Sequence, residues 1–116
     1  MEFDEFTAVL LVLNPDSPDF SDAELDQLQD AHLAHLASLQ ESGQLLAAGP
    51  FPGEPDRYLR GLCVFGVDLD AAMELESGDP MVQAGRFQVV AAPWIVPTGV
   101  LSFGGRLPRS VADVQA

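Results

Sequence analysis

The chain has 116 residues and sets 18 acids against five arginines, with no lysine, for a formal charge of -13. Such a surface repels phosphate backbones and offers no basic face to a bilayer, so the composition argues against nucleic-acid and membrane partners. The length suits one domain with an ordinary hydrophobic core. Of the 18 acids, 12 precede Arg57 and no arginine does. Solvated loops and helix faces account for such an excess, and a docking surface for a cationic partner is the minority reading.

The N-terminus, MEFDEFTAVL, carries acids where a secretory signal carries positive charge, and no apolar run is long enough to span a bilayer. The single cysteine, Cys63, sits inside the apolar run LCVFGV and reads as a buried, reduced thiol. Together these features predict a soluble, cytoplasmic protein.

Glu5 to Leu13, EFTAVLLVL, is a nearly unbroken apolar run closed by the turn residues NPDSPDF, and reads as a first strand. Its continuity leaves no polar side for water, unlike a strand from a sheet with one wet face. Ser21 opens a helix as N-cap, answered by Glu24 three residues on in a capping box. At 100° per residue Leu25, Leu28, His32, Leu36 and Leu39 form one stripe, with His35 on its flank and Asp26, Asp30, Ala34, Ala37 and Glu41 on other sides. Gly43 ends the helix in a position where a left-handed backbone suits glycine.

Gln44 to Phe51 reads as a second strand, and Leu59 to Val67 as a third, separated by the rigid, polar loop PFPGEPDR. Asp68 or Asp70 can cap a second helix through AAMELES; after Gly78, Asp79 is a natural N-cap for a short turn beginning at Pro80. Met73 and Met81 are expected to pack. Arg86 to Val96 supplies a fourth strand, bent at Pro93 and at a sheet edge, with a short extra strand, VLSFGG, after Pro97. Residues 1–103 then form the domain and residues 104–116 an aperiodic, loosely ordered tail.

The order β-α-β-β-α-β is the ferredoxin-like pattern of an α+β sandwich, a four-stranded, mostly antiparallel sheet with both helices on one face. Two helices cover only one side, yet several strands are apolar on both. A second copy stacked sheet on sheet is the economical cover, so the chain is expected to be a homodimer.

No metal-ligand spacing, phosphate-binding loop or nucleophile elbow is present, and no cofactor or metal is expected. His32 stands out as a polar ring in the middle of an apolar stripe. It is either a core histidine bonded to a carbonyl or a functional one, and functional use needs a partner that selects its tautomer, commonly a carboxylate. Asp79, held between Gly78 and Pro80, is the acid most constrained by its neighbours, and capping alone also explains it. Arg57 and Arg60 can hold an anionic oxygen or simply solvate the surface; Trp94 is either core or the apolar wall of a pocket.

AHLAHLASLQESGQLLAAGP, together with DPMVQAGRFQVVAAPWIVP, resembles the YCII (YciI-like) family, whose members are small proteins of the dimeric α+β barrel superfamily. The resemblance runs from about Phe6 to Val96. It implies a dimeric α+β barrel with a His–Asp pair in the cleft between sheet and helices, and the matching positions are His32 and Asp79. It assigns no role to His35. It also implies a cofactor-free enzyme moving a proton on a small molecule, with a non-catalytic ligand-binding dimer as the alternative; Arg60 and Trp94 are then candidate substrate contacts. The proline-rich Phe51–Asp56 loop, the PWIVPTG ending and the tail depart from short members of the family.

Overall fold

The computed structural model describes residues 1–115, with the side chain of Gln115 left out of account. Its elements are β1 (Phe3–Leu13), α1 (Asp22–Glu41), β2 (Leu45–Pro50), β3 (Leu59–Phe65), α2 (Leu69–Ser77), α3 (Pro80–Gln83), β4 (Phe87–Pro97) and α4 (Val111–Gln115). The strands form one antiparallel sheet in the order β2-β3-β1-β4. This is the ferredoxin-like α+β fold expected from the element order. No helix among the described residues is long and apolar enough to cross a membrane.

Local chemistry sets the boundaries. The Ser21–Glu24 capping box is formed, and Gly43 adopts φ +83°, a left-handed turn that lets its N–H reach the Gln40 carbonyl as α1 ends. Asp68, not Asp70, caps α2, its side chain accepting from Ala71 N–H; Asp79 caps α3 from the position just before Pro80. β4 lies at a sheet edge, where Pro93 removes no bond from a central ladder.

The inner sheet face and the helices enclose a core of Val9, Leu11, Leu36, Leu39, Leu45, Cys63, Phe65 and Ala72. Residues paired in register with Leu10, Ala8 and Phe6 project to the outer face, among them Leu62, Val90, Ala92 and Trp94. Val90 and Trp94 remain 48% and 40% exposed there, which leaves apolar surface open to water.

Three expectations are corrected. Ala37, placed on another side of the helix, is buried, because a methyl group is small enough to be covered at the margin of the stripe. Met73 is exposed where packing was expected, while Met81 is buried. Residues 100–105 form no strand: after Pro97 the chain turns, and Phe103 packs edge-on against Phe6 at 5.5 Å between ring centres. The tail beyond is tied to α1, with Leu107 N–H donating to Gln40, Val111 N–H to Asp30 and Arg109 pairing with Glu41. These are isolated side-chain contacts without a period, which periodicity and propensity do not reveal.

Candidate active site

His32 is carried into the core side of α1 by the leucine stripe, and the capped turn at Gly78–Pro80 brings Asp79 beneath it. The two meet at 2.6 Å between His32 Nδ1 and Asp79 Oδ2, with Asp79 fully buried and His32 nearly so. The other carboxylate oxygen, Oδ1, accepts the N–H of Met81 at 2.9 Å. The α3 cap thus fixes the carboxyl through the backbone and leaves one oxygen for the ring. With Nδ1 so engaged, Nε2 is the free nitrogen of His32, and the ring lines a cavity of about 570 Å³ between α1 and the sheet. The cavity wall is largely apolar, with Leu11, Leu25, Leu36 and Phe87 among its residues, and the tail adds Leu107 and Pro108. Phe87 meets the imidazole edge-on, ring centres 6.1 Å apart.

Burial by itself would push the Asp79 carboxyl up. The hydrogen bond and charge of His32, the Met81 N–H and a contact from Glu76 outweigh it and hold Asp79 below the usual carboxylate range.

Beneath this pair lies a second layer. His35, Glu76 and Asp79 offer ligand atoms within 4.8 Å of one another. His35 Nε2 stands 3.5 Å from Glu76 Oε1, and neither atom has a hydrogen-bond partner of good geometry among the described residues. Glu76 is fully buried; Oε2 receives the Cys63 thiol at 3.4 Å. Burial pushes Glu76 up, and the nearness of His35, which pulls down, does not offset that together with the nearby Asp79 charge. Proximity to Glu76 raises His35 in turn, against burial, which lowers it. The donor set could suit a cation, but both Asp79 oxygens are already committed to His32 and Met81, so an ion there would have to displace the pair that defines the cleft.

Arg60 reaches the cavity through a local irregularity. Leu11 pairs with Gly61 and Val12 with Leu59, so Arg60 is the extra residue of a β-bulge, a device that re-aims a side chain. Its guanidinium lies 5.7 Å from the Phe87 ring centre. Trp94 does not line the cavity; it faces the outer side of the sheet beside Phe6, ring centres 6.2 Å apart. Cys63 sits in the wall, yet burial first, and the Glu76 charge second, push its thiol well above the ordinary value, the opposite of what a nucleophile requires.

Glu76 and Arg86 were not singled out in the sequence. Glu76 carried a usable signal: with Leu69 and Ala72 it falls at helical spacing on the apolar face of α2, as His32 does on α1. Arg86 carried none, since its place follows from the α3 turn.

The model of the YCII-related domain matches residues 8–94. The chain belongs to the YCII-related family. Among curated proteins none matches it. Among solved structures, it is similar to a 5-chloro-2-hydroxyhydroquinone dehydrochlorinase, TftG, from Burkholderia phenoliruptrix, in complex with 2,5-dihydroxybenzoquinone. That likeness has a TM-score of 0.51 and 21% identity, covering 77% of this chain and 92% of the other. It is also similar to SnoaB, a cofactor-independent oxygenase from Streptomyces nogalater, with a TM-score of 0.50 and 13% identity over 85% of this chain and 99% of that one. At these identities the likenesses bear on the fold alone, and they agree with the ferredoxin-like α+β architecture.

Proposed function

We propose that the protein is a cofactor-free, cytoplasmic enzyme that transfers a proton on a small molecule, as in isomerisation or elimination, with His32 as the base. The observation that carries this reading is the 2.6 Å His32–Asp79 pair opening onto a cavity of about 570 Å³. Ionised Asp79 holds the His32 proton on Nδ1 and leaves Nε2 as the acceptor facing the ligand. When Nε2 takes a proton, the carboxylate stabilises the imidazolium that forms. The apolar wall excludes water and strengthens both interactions.

A direct test is proton exchange in D₂O, followed by NMR, on hydroxylated aromatic and lactone compounds; 5-chloro-2-hydroxyhydroquinone, named for the similar dehydrochlorinase, is a sensible first member. The wild type is expected to exchange or convert at least one compound, and His32→Asn to lose that activity while staying folded. Ligand binding without exchange across the panel would favour a non-catalytic binding protein.

The proposal includes a homodimer. Leu10, Val90, Ala92 and Trp94 share the outer sheet face, uncovered by either long helix, and we assign Trp94 to that interface in place of a substrate contact. Val90→Asp should give a monomer by light scattering. A wild-type monomer at micromolar concentration would remove the dimer.

A further inference from the structure

Three arginines stand around the cavity. Arg57 comes from the loop before β3, Arg60 from the β3 bulge and Arg86 from the junction of α3 and β4, and all three line the same space. The chain holds 18 acids and only five arginines, so a guanidinium has abundant choice of carboxylate partners. Yet among the described residues none of these three has a carboxylate within 4.0 Å; the ion pair an arginine does make is Arg109 with Glu41, at the surface.

Their side chains are braced by backbone instead. Arg57 donates from Nε to the Phe51 carbonyl and from Nη1 to that of Glu54, and Arg60 donates from Nη1 to the carbonyls of Pro55 and Arg57. Nε and Nη2 of Arg60 and the whole Arg86 guanidinium remain unspent among the described residues. Burial, and then the charges of Arg57 and Arg86, lower Arg60, with Asp56 opposing from outside pairing distance. Asp26 is the one acid on the cavity lining, and it is exposed. Like charges gathered without counter-charge are unfavourable unless something else supplies it.

We propose that the cavity binds an organic monoanion, a ring or short apolar body carrying a carboxylate or an acidic phenolate, with Arg57, Arg60 and Arg86 receiving the anionic group. The proposal names the substrate class of the proton-transfer site and rests on that reading for its chemical purpose. A planar guanidinium matches a carboxylate in two parallel hydrogen bonds, and the leucines and Phe87 accept the apolar body. Phe87 is near both polar ends, with Arg60 over its face and the perpendicular His32 ring 6.1 Å away between centres, so a ligand held by the arginines can extend its body toward His32 Nε2. An anion at that end would also take up charge from an adjacent carbanion or enolate as the proton leaves.

The test is isothermal titration at low salt with 2-naphthoate and its neutral amide, 2-naphthamide. The naphthoate is expected to bind at least roughly tenfold more tightly than the amide, and added salt to weaken it. Arg60→Met and, separately, Arg86→Met should each lose about tenfold, while Arg106→Met, in the tail and off this cavity, should bind as the wild type does. Equal binding of the two probes, no naphthoate binding up to about 10 mM, or an equal loss in Arg106→Met would overturn the anion site. His32→Asn should keep naphthoate affinity. An enzyme reading that fails while naphthoate binding holds therefore leaves the anion site standing, and the reverse result removes the anion site alone.

Discussion

His32 and His35 leave the same helix three residues apart and each faces a buried carboxyl, but the two pairs are built differently. His32 meets Asp79 at 2.6 Å; His35 stops 3.5 Å from Glu76. Asp79 is placed by backbone, as the cap of α3 between Gly78 and Pro80, whereas Glu76 hangs from the last turn of α2 on a longer side chain and shares itself with Cys63. Behind His35, Gly78 closes the space: a Cβ there would stand 3.4 Å from the ring. His32 lines the cavity, whereas neither His35 nor Glu76 does. Two carboxyls so near each other also divide their protonation, Asp79 being held down and Glu76 pushed up. Under the proposed mechanism, proximity to a histidine is not enough for a proton-transfer pair; prior placement and ionisation of the acid are what separate the two.

The largest expected difference is in turnover. His32→Asn should lower kcat on any converted substrate by about 10²–10⁴, the usual contribution of a positioned base, while His35→Asn stays within a few-fold. Circular dichroism keeps loss of fold out of the comparison. Similar losses in both would collapse the distinction between the two pairs.

The acids give the next largest contrast. Asp79→Asn keeps the α3 cap, yet an amide donor against Nδ1 favours the wrong tautomer, so kcat should fall by orders of magnitude, up to about 10⁴, with little change in Tm. Glu76→Gln should leave both kcat and Tm nearly unchanged, because the amide is close in shape to the carboxyl and burial disfavours the charged form there. Asp79→Ala removes the cap and one side of a buried pair together and should destabilise by about 3–5 kcal/mol in a denaturant titration. A Glu76→Gln variant as inactive as Asp79→Asn would show that the lower layer takes part in the proton transfer.

Much of this was legible in the chain. The capping box at Ser21, the glycine at the end of α1 and the Asp79-Pro80 start of α3 are local rules, and the apolar stripe pointed His32 inward. That His32 and Asp79, 47 residues apart, face each other was not readable from period or propensity; only the family resemblance suggested the pairing. Arg60 was a candidate contact from the sequence, but the bulge that turns it to the cavity was not readable, because strand alternation cannot foresee a bulge. Trp94 was open between sheet-face core and the wall of a pocket, and its pairing with Phe6 in the register sends it to the outer face. Glu76 was missed although the test that found His32 applies to it as well.

The smallest effect is on stability against pH, and it distinguishes the pairs by sign. Asp79 is held below 3.8, so its contribution is present above that value and is lost as pH falls through the lower folded value. His35 is raised above 6.5, so its contribution is present below that value and is lost as pH rises through the higher folded one. Glu76, raised above 4.5, acts in the same direction as His35: neutral Glu76 favours the fold at low pH, and the advantage fades as it ionises. Denaturant midpoints should therefore decline on both sides of a plateau. His35→Asn should flatten the part of the decline that begins above pH 6.5 and leave the acid side intact, because Asp79 keeps His32. Were the alkaline decline unchanged in His35→Asn, the lower pair would be no more than a contact, and the decline would belong to Glu76 or to groups outside the site.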